Sequence, residues 1–79
     1  MLKIVAYPLD RGDLDRDGGF RWRVVVRPEK GLSRTVDCFK TKGEAISAAK
    51  GEAMRLWSPA YVLERGREKL LLDPAAGGR

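Results

Sequence analysis

The chain has 79 residues, no histidine, one cysteine and a formal net charge of +5. Without histidine there is no Ser-His-Asp set, no His-activated cysteine and no ordinary zinc ligand set; a lone cysteine cannot form an internal disulfide. One small α+β domain over residues 1–72 with a flexible tail at 73–79 is expected, and no enzymatic activity, cofactor, metal site or small-molecule substrate.

Charge is concentrated. Between Phe20 and Lys42 lie Arg21, Arg23, Arg27, Lys30, Arg34, Lys40 and Lys42 against only Glu29 and Asp37. That segment carries the whole net charge of +5, and the rest of the chain is balanced. Clustered positive charge attracts polyanions, although a merely solubilising face would carry the same charge.

In chain order, Leu2–Tyr7 alternates, with Leu2, Ile4 and Ala6 on one side, and reads as a half-buried strand that Pro8 stops. The start of the chain is too short for the apolar region of a signal peptide and no run is long enough to span a membrane, so a cytoplasmic protein without membrane contact is expected. Residues 9–19 read as a polar loop. Within it Asp13, Asp15, Asp17 and Gly18 match the first half of a calcium-binding loop. The match ends there: the position that should supply a bidentate carboxylate is Val24, inside a strand, so a flexible acidic connector is expected instead.

Phe20–Arg27 has a strict period of two. Phe20, Trp22, Val24 and Val26 share one face; Arg21, Arg23, Val25 and Arg27 share the other. Pro28 ends this strand, and residues 29–32 read as a turn. Ser33–Lys40 returns as a strand of ambiguous register, because Val36, Cys38 and Phe39 all favour a core, and a bulge near Cys38 would reconcile them. Asp37 is expected beside the arginines, where an opposite-charge pair would blunt the basic face.

Thr41 and Glu44 have capping-box spacing and open a helix running to about Trp57. Ala45, Ile46, Ala49, Ala53, Leu56 and Trp57 form its apolar stripe. Ser58-Pro59 ends it, and two apolar runs, Tyr61–Arg65 and Glu68–Leu72, flank Gly66-Arg67 as a hairpin. Leu70, Leu71 and Leu72 cannot all face one core, so a homodimer burying them is expected.

The fold class expected is therefore α+β: a three-stranded antiparallel sheet packed on one helix, then a C-terminal β-hairpin, in the order βββαββ. Arg21, Arg23, Arg27, Lys30 and Arg34 would lie on the sheet's open face and contact nucleic acid, with duplex DNA preferred. The alternative is a small non-catalytic protein-interaction module or homodimer.

Three short segments carry a family resemblance. Gly19-Phe-Arg-Trp-Arg-Val-Val-Val26, followed by Phe39-Lys-Thr-Lys-Gly-Glu-Ala45 and Ala48-Ala49, resembles the superfamily of arm-type integrase and plant AP2 DNA-binding domains over residues 19–57. That resemblance implies a three-stranded sheet whose exposed face enters the major groove, a role falling on Arg21, Arg23, Arg27 and Arg34. The same residues, with Tyr61–Leu70, equally resemble a group of small uncharacterised bacterial domains, which implies no function.

Overall fold

The computed structural model describes residues 2–77. The elements are β1 (Lys3–Pro8), α1 (Leu14–Asp17), β2 (Trp22–Arg27), β3 (Arg34–Phe39), α2 (Lys42–Leu56), β4 (Ala60–Glu64), β5 (Arg67–Leu72) and α3 (Pro74–Gly77). The α+β class is observed, with one main helix, but the sheet is neither three-stranded nor purely antiparallel. All five strands form one mixed sheet in the order β3-β2-β1-β4-β5.

The difference arises at β4. The expected separate hairpin instead lays β4 parallel to β1, with Ile4 opposite Ala60 and Ala6 opposite Val62. The Ile4 amide donates to the Pro59 carbonyl at 2.9 Å where the pairing starts. Parallel neighbours require a crossover, and α2 supplies it by running back across one face of the sheet. β1 thus becomes the central strand, and Ile4, Val5 and Ala6 are all buried.

The helix begins as its sequence dictates. The Thr41 hydroxyl accepts from the Glu44 amide at 3.2 Å, and the Glu44 carboxylate accepts from the Thr41 amide at 3.2 Å. Ala45, Ala49 and Ala53 are fully buried against Ile4, Ala6, Val24, Val26 and Val62. Small side chains along that stripe let the helix axis approach the sheet closely, and the burial of the facing valines and isoleucine supplies the driving force. Trp57 does not join the stripe. It is the C-cap, in the left-handed region at φ 52°, and the residue is 56% exposed.

Two bulges settle the ambiguous strands. In β3, Val24 pairs with Asp37 and Val25 with Thr35, so Val36 is the extra residue. Val36 and Phe39 then both pack on the core while Cys38 lies opposite Arg23 on the other face. The bulge therefore sits two residues before the expected place. In β5, Ala60 pairs with Leu72 and Tyr61 with Leu70, leaving Leu71 as the extra residue. Leu71 and Leu72 both pack against the core, and of the three leucines only Leu70 stays exposed. The surface expected to drive dimerisation is correspondingly reduced.

The hairpin turn also shifts by one residue from the expected pair, to Arg65-Gly66. Both have positive φ, 51° and 79°, as a two-residue type I′ connection demands. Of the expected tail at 73–79, residues 74–77 form the short α3, with the Ala76 amide donating to Asp73 at 3.3 Å, and the end of the tail lies outside the described residues. Among the described residues no helix is long and apolar enough to cross a membrane.

Candidate nucleic-acid interface

The face of the sheet away from α2 has an apolar floor. Strand register sets Val25 beside Val5, Val5 beside Tyr61 and Tyr61 beside Leu70. Val5 and Val25 are 1% and 4% exposed although no long helix covers them. Alternation in β2 anticipated Val25 on this face, but not its burial.

Arg23 lies on this face as its alternation requires, but it does not project freely. Its Nη2 is 2.6 Å from an Asp15 carboxylate oxygen and 3.0 Å from one of Asp13. Its Nη1 donates to the Tyr7 hydroxyl at 3.2 Å. The guanidinium also lies 5.9 Å from the centre of the Tyr7 ring. Contacts with Tyr7, then Cys38 and Asp15, raise its pKa further above an already high arginine value, so it stays charged throughout. Asp15 is held below the usual carboxylate range, first by Arg23 and then by the Cys38 thiol, which donates to it at 3.4 Å. Burial pushes the Cys38 thiol up, and Asp15 adds to the shift against the pull of Arg23.

The acidic connector is therefore the counterpart of the basic strand. Asp13 caps α1 by accepting from the Asp15 amide at 2.9 Å, and the one-turn helix carries Asp15 onto Arg23. The expected polar loop carries one helical turn, which two ion pairs tie to the strand. Among the described residues no three acidic or cysteine side chains converge closely enough to hold a metal ion.

Arg27 is exposed on the same face, 3.9 Å from Glu68, which is bound more closely by Lys3 at 2.8 Å. Lys3 reaches Glu68 across Tyr61, its ammonium 5.6 Å from the ring centre. Arg34 departs from expectation. Its partner in register is Val26, on the helix-packed face, and its guanidinium lies 3.9 Å from Glu52 of α2. The bulge at Val36 does not rescue it, because the pairing of Val26 with Arg34 lies beyond the extra residue. Lys30 is exposed in the turn between β2 and β3. Among the described residues Asp37 pairs with no arginine; its carboxylate accepts from the Cys38 amide at 2.8 Å.

Arg21 sits just before β2, with its amide bonded to the Phe39 carbonyl and its own carbonyl accepting from the Leu9 amide, both at 2.9 Å. Its Nη1 donates to the carbonyls of Arg16 and Phe20, each at 3.3 Å. It lines a shallow concavity of about 470 Å³ with Arg11, Gly12, Arg16 and Asp17. The five expected contact residues are thus distributed. Arg21, Arg23 and Arg27 share the open face or its end, Lys30 lies in a turn, and Arg34 is on the opposite side. Arg11 and Arg16 were missed because they lie in what read as an acidic connector. The signal that places them is the position of that loop, which joins two adjacent antiparallel strands and so must sit at the end of the sheet beside the start of β2.

No family model matches the chain, and no curated protein or solved structure matches it.

Proposed function

We propose that the protein binds duplex nucleic acid through its phosphate backbone, using the loop end of the sheet's open face. One observation carries this reading: Arg11, Arg16 and Arg21 line one concavity, and among the described residues none of them has a carboxylate within 4.0 Å. Arg23 and Arg27 extend the basic surface along β2 once phosphates replace their carboxylate partners, and Lys30 extends it at the far end. Arg34 falls outside this footprint. The resemblance to arm-type integrase and plant AP2 domains supports the same use of the sheet face, and a cytoplasmic site of action belongs to the same reading. No reacting group is required of the protein, so the role is non-catalytic.

Gel mobility of a labelled duplex at low and moderate salt tests the proposal. Binding that weakens with salt at about −0.9 in log K per log salt for each phosphate contacted is expected, with about three contacts. No shift of any duplex at low salt overturns it.

A second reading rests on Leu70, which is 53% exposed at the end of the row Val25, Val5, Tyr61 and Leu70. A second copy or another protein covering that end of the open face would make the chain an interaction module. Light scattering at high concentration distinguishes a dimer from a monomer.

A further inference from the structure

We infer that Arg11, Arg16 and Arg21 form a discrete site for a phosphate-class oxyanion, able to take either a free phosphate group or one phosphodiester of a polymer. The inference deepens the nucleic-acid reading and in its polymeric arm rests on it.

The site is built by the connector. The chain leaves β1, turns through Gly12 at φ 91°, makes α1, and reverses through Gly19 at φ 103°. The Gly19 amide donates to the Arg16 carbonyl at 3.0 Å and the Phe20 amide to the Asp15 carbonyl at 3.1 Å. These bonds bring Arg21 back beside Arg16, at the last turn of α1. Arg21 then spends one nitrogen on the Arg16 and Phe20 carbonyls, which orients the guanidinium and leaves its other N–H donors without an acceptor among the described residues. Arg11 and the Gly12 backbone complete the wall.

The electrostatics point the same way. Arg23, Arg27, Arg34 and Arg55 each have a carboxylate within 4.0 Å. Among the described residues the three loop arginines do not, nor do Arg65 and Arg67 at the hairpin, and Asp17 is the one carboxylate that lines the loop concavity. Three guanidinium groups against one carboxylate leave a local charge of +2, which a phosphate dianion balances. Guanidinium forks match tetrahedral oxyanions geometrically, and each charge-assisted hydrogen bond is stronger than a neutral one. The large shallow opening suits a group presented on a larger molecule as well as a free ion.

The test is titration of the intact protein with inorganic phosphate and with pyrophosphate, followed by amide NMR shifts at constant ionic strength with chloride as the reference. Saturable shifts centred on Gly12, Arg16 and Arg21 are expected. An Arg11→Gln, Arg16→Gln double variant should weaken phosphate binding by about tenfold or more, while Arg65→Gln, at the distant hairpin tip, leaves it unchanged. The double variant keeps Arg21 and its two carbonyl contacts, and its amide spectrum verifies the fold. Equal phosphate response of wild type and double variant overturns the inference, as do shifts spread over all basic residues. A labelled duplex forms the second arm. Phosphate bound at the loop with no duplex binding supports the site and removes the nucleic-acid reading. Duplex binding with the same affinity and salt slope in the double variant overturns the site and removes the loop end from the nucleic-acid reading, leaving the arginines of β2 to carry it.

Discussion

Asp15, on a one-turn helix in the β1–β2 connector, places a carboxylate oxygen 2.6 Å from the Arg23 guanidinium in the second strand. Asp13 reaches the same nitrogen at 3.0 Å. The Arg23 side chain is only 19% exposed. Two carboxylates on one largely buried cation hold the connector against the sheet face and neutralise the residue that sequence alternation aims most directly at solvent. Arg23→Ala is therefore not a clean probe of binding, because it leaves two carboxylates without their partner.

Removing the carboxylates is more informative. Asp13→Asn with Asp15→Asn should release Arg23 for phosphate while keeping side chains of the same shape. Duplex binding should tighten, and the salt slope should steepen by about 0.9, the value of one added phosphate contact. Unchanged affinity and slope in gel-mobility titrations would show that Arg23 plays no part in binding.

Acid should unfold the protein through a small set of carboxylates. Asp15 is depressed first by Arg23, Glu52 first by Arg55 and Glu64 first by Lys42, whose ammonium is 2.6 Å away. In the unfolded chain these groups titrate near their usual values, about 4. The folded state then binds fewer protons than the unfolded one. Their stabilisation is fully present above about pH 5 and is lost as the pH falls through the depressed folded values. Urea midpoints measured from pH 7 downward should be level at first and fall below about pH 5. Glu64→Gln should reduce that fall; an identical pH profile would remove Glu64 from the set.

Helix α2 offers paired tests of packing. Gly51 is exposed, and a Cβ built there meets no atom within 4 Å. Gly51→Ala should stabilise the protein by roughly 0.5–1 kcal/mol, because alanine loses less backbone entropy in a helix. Ala49 is fully buried against the sheet. Ala49→Leu should destabilise by roughly 1–3 kcal/mol as the helix is forced off the valines beneath it. Chemical denaturation of the two variants checks both signs.

The turn between β4 and β5 carries its own strain. Arg65 has φ 51° before Gly66, and a side chain in that region costs energy that asparagine bears more easily. Arg65→Asn creates the Asn-Gly pair favoured in type I′ turns and should raise stability by roughly 0.5–1 kcal/mol. A lower unfolding midpoint would mean that the arginine makes a stabilising contact that offsets its backbone strain.

Local physics was legible in the sequence. The alternation of Phe20–Arg27 made β2, the Thr41 and Glu44 spacing opened α2, and the alanines at 45, 49 and 53 marked the face that meets the sheet. Each depends on residues within a few positions of one another, where backbone sterics and hydrogen-bond geometry act without help from the rest of the chain. Long-range pairing decided the remainder. Setting β4 parallel to β1 turned a meander and hairpin into one five-stranded sheet. The bulges at Val36 and Leu71 chose which neighbours enter the core, and the register beyond the first put Arg34 beside Glu52. The acidic connector met Arg23 only because β1 and β2 lie side by side. Those outcomes depend on which distant strands bury the most apolar surface together and on ion pairs between residues far apart in sequence, and no local pattern encodes either.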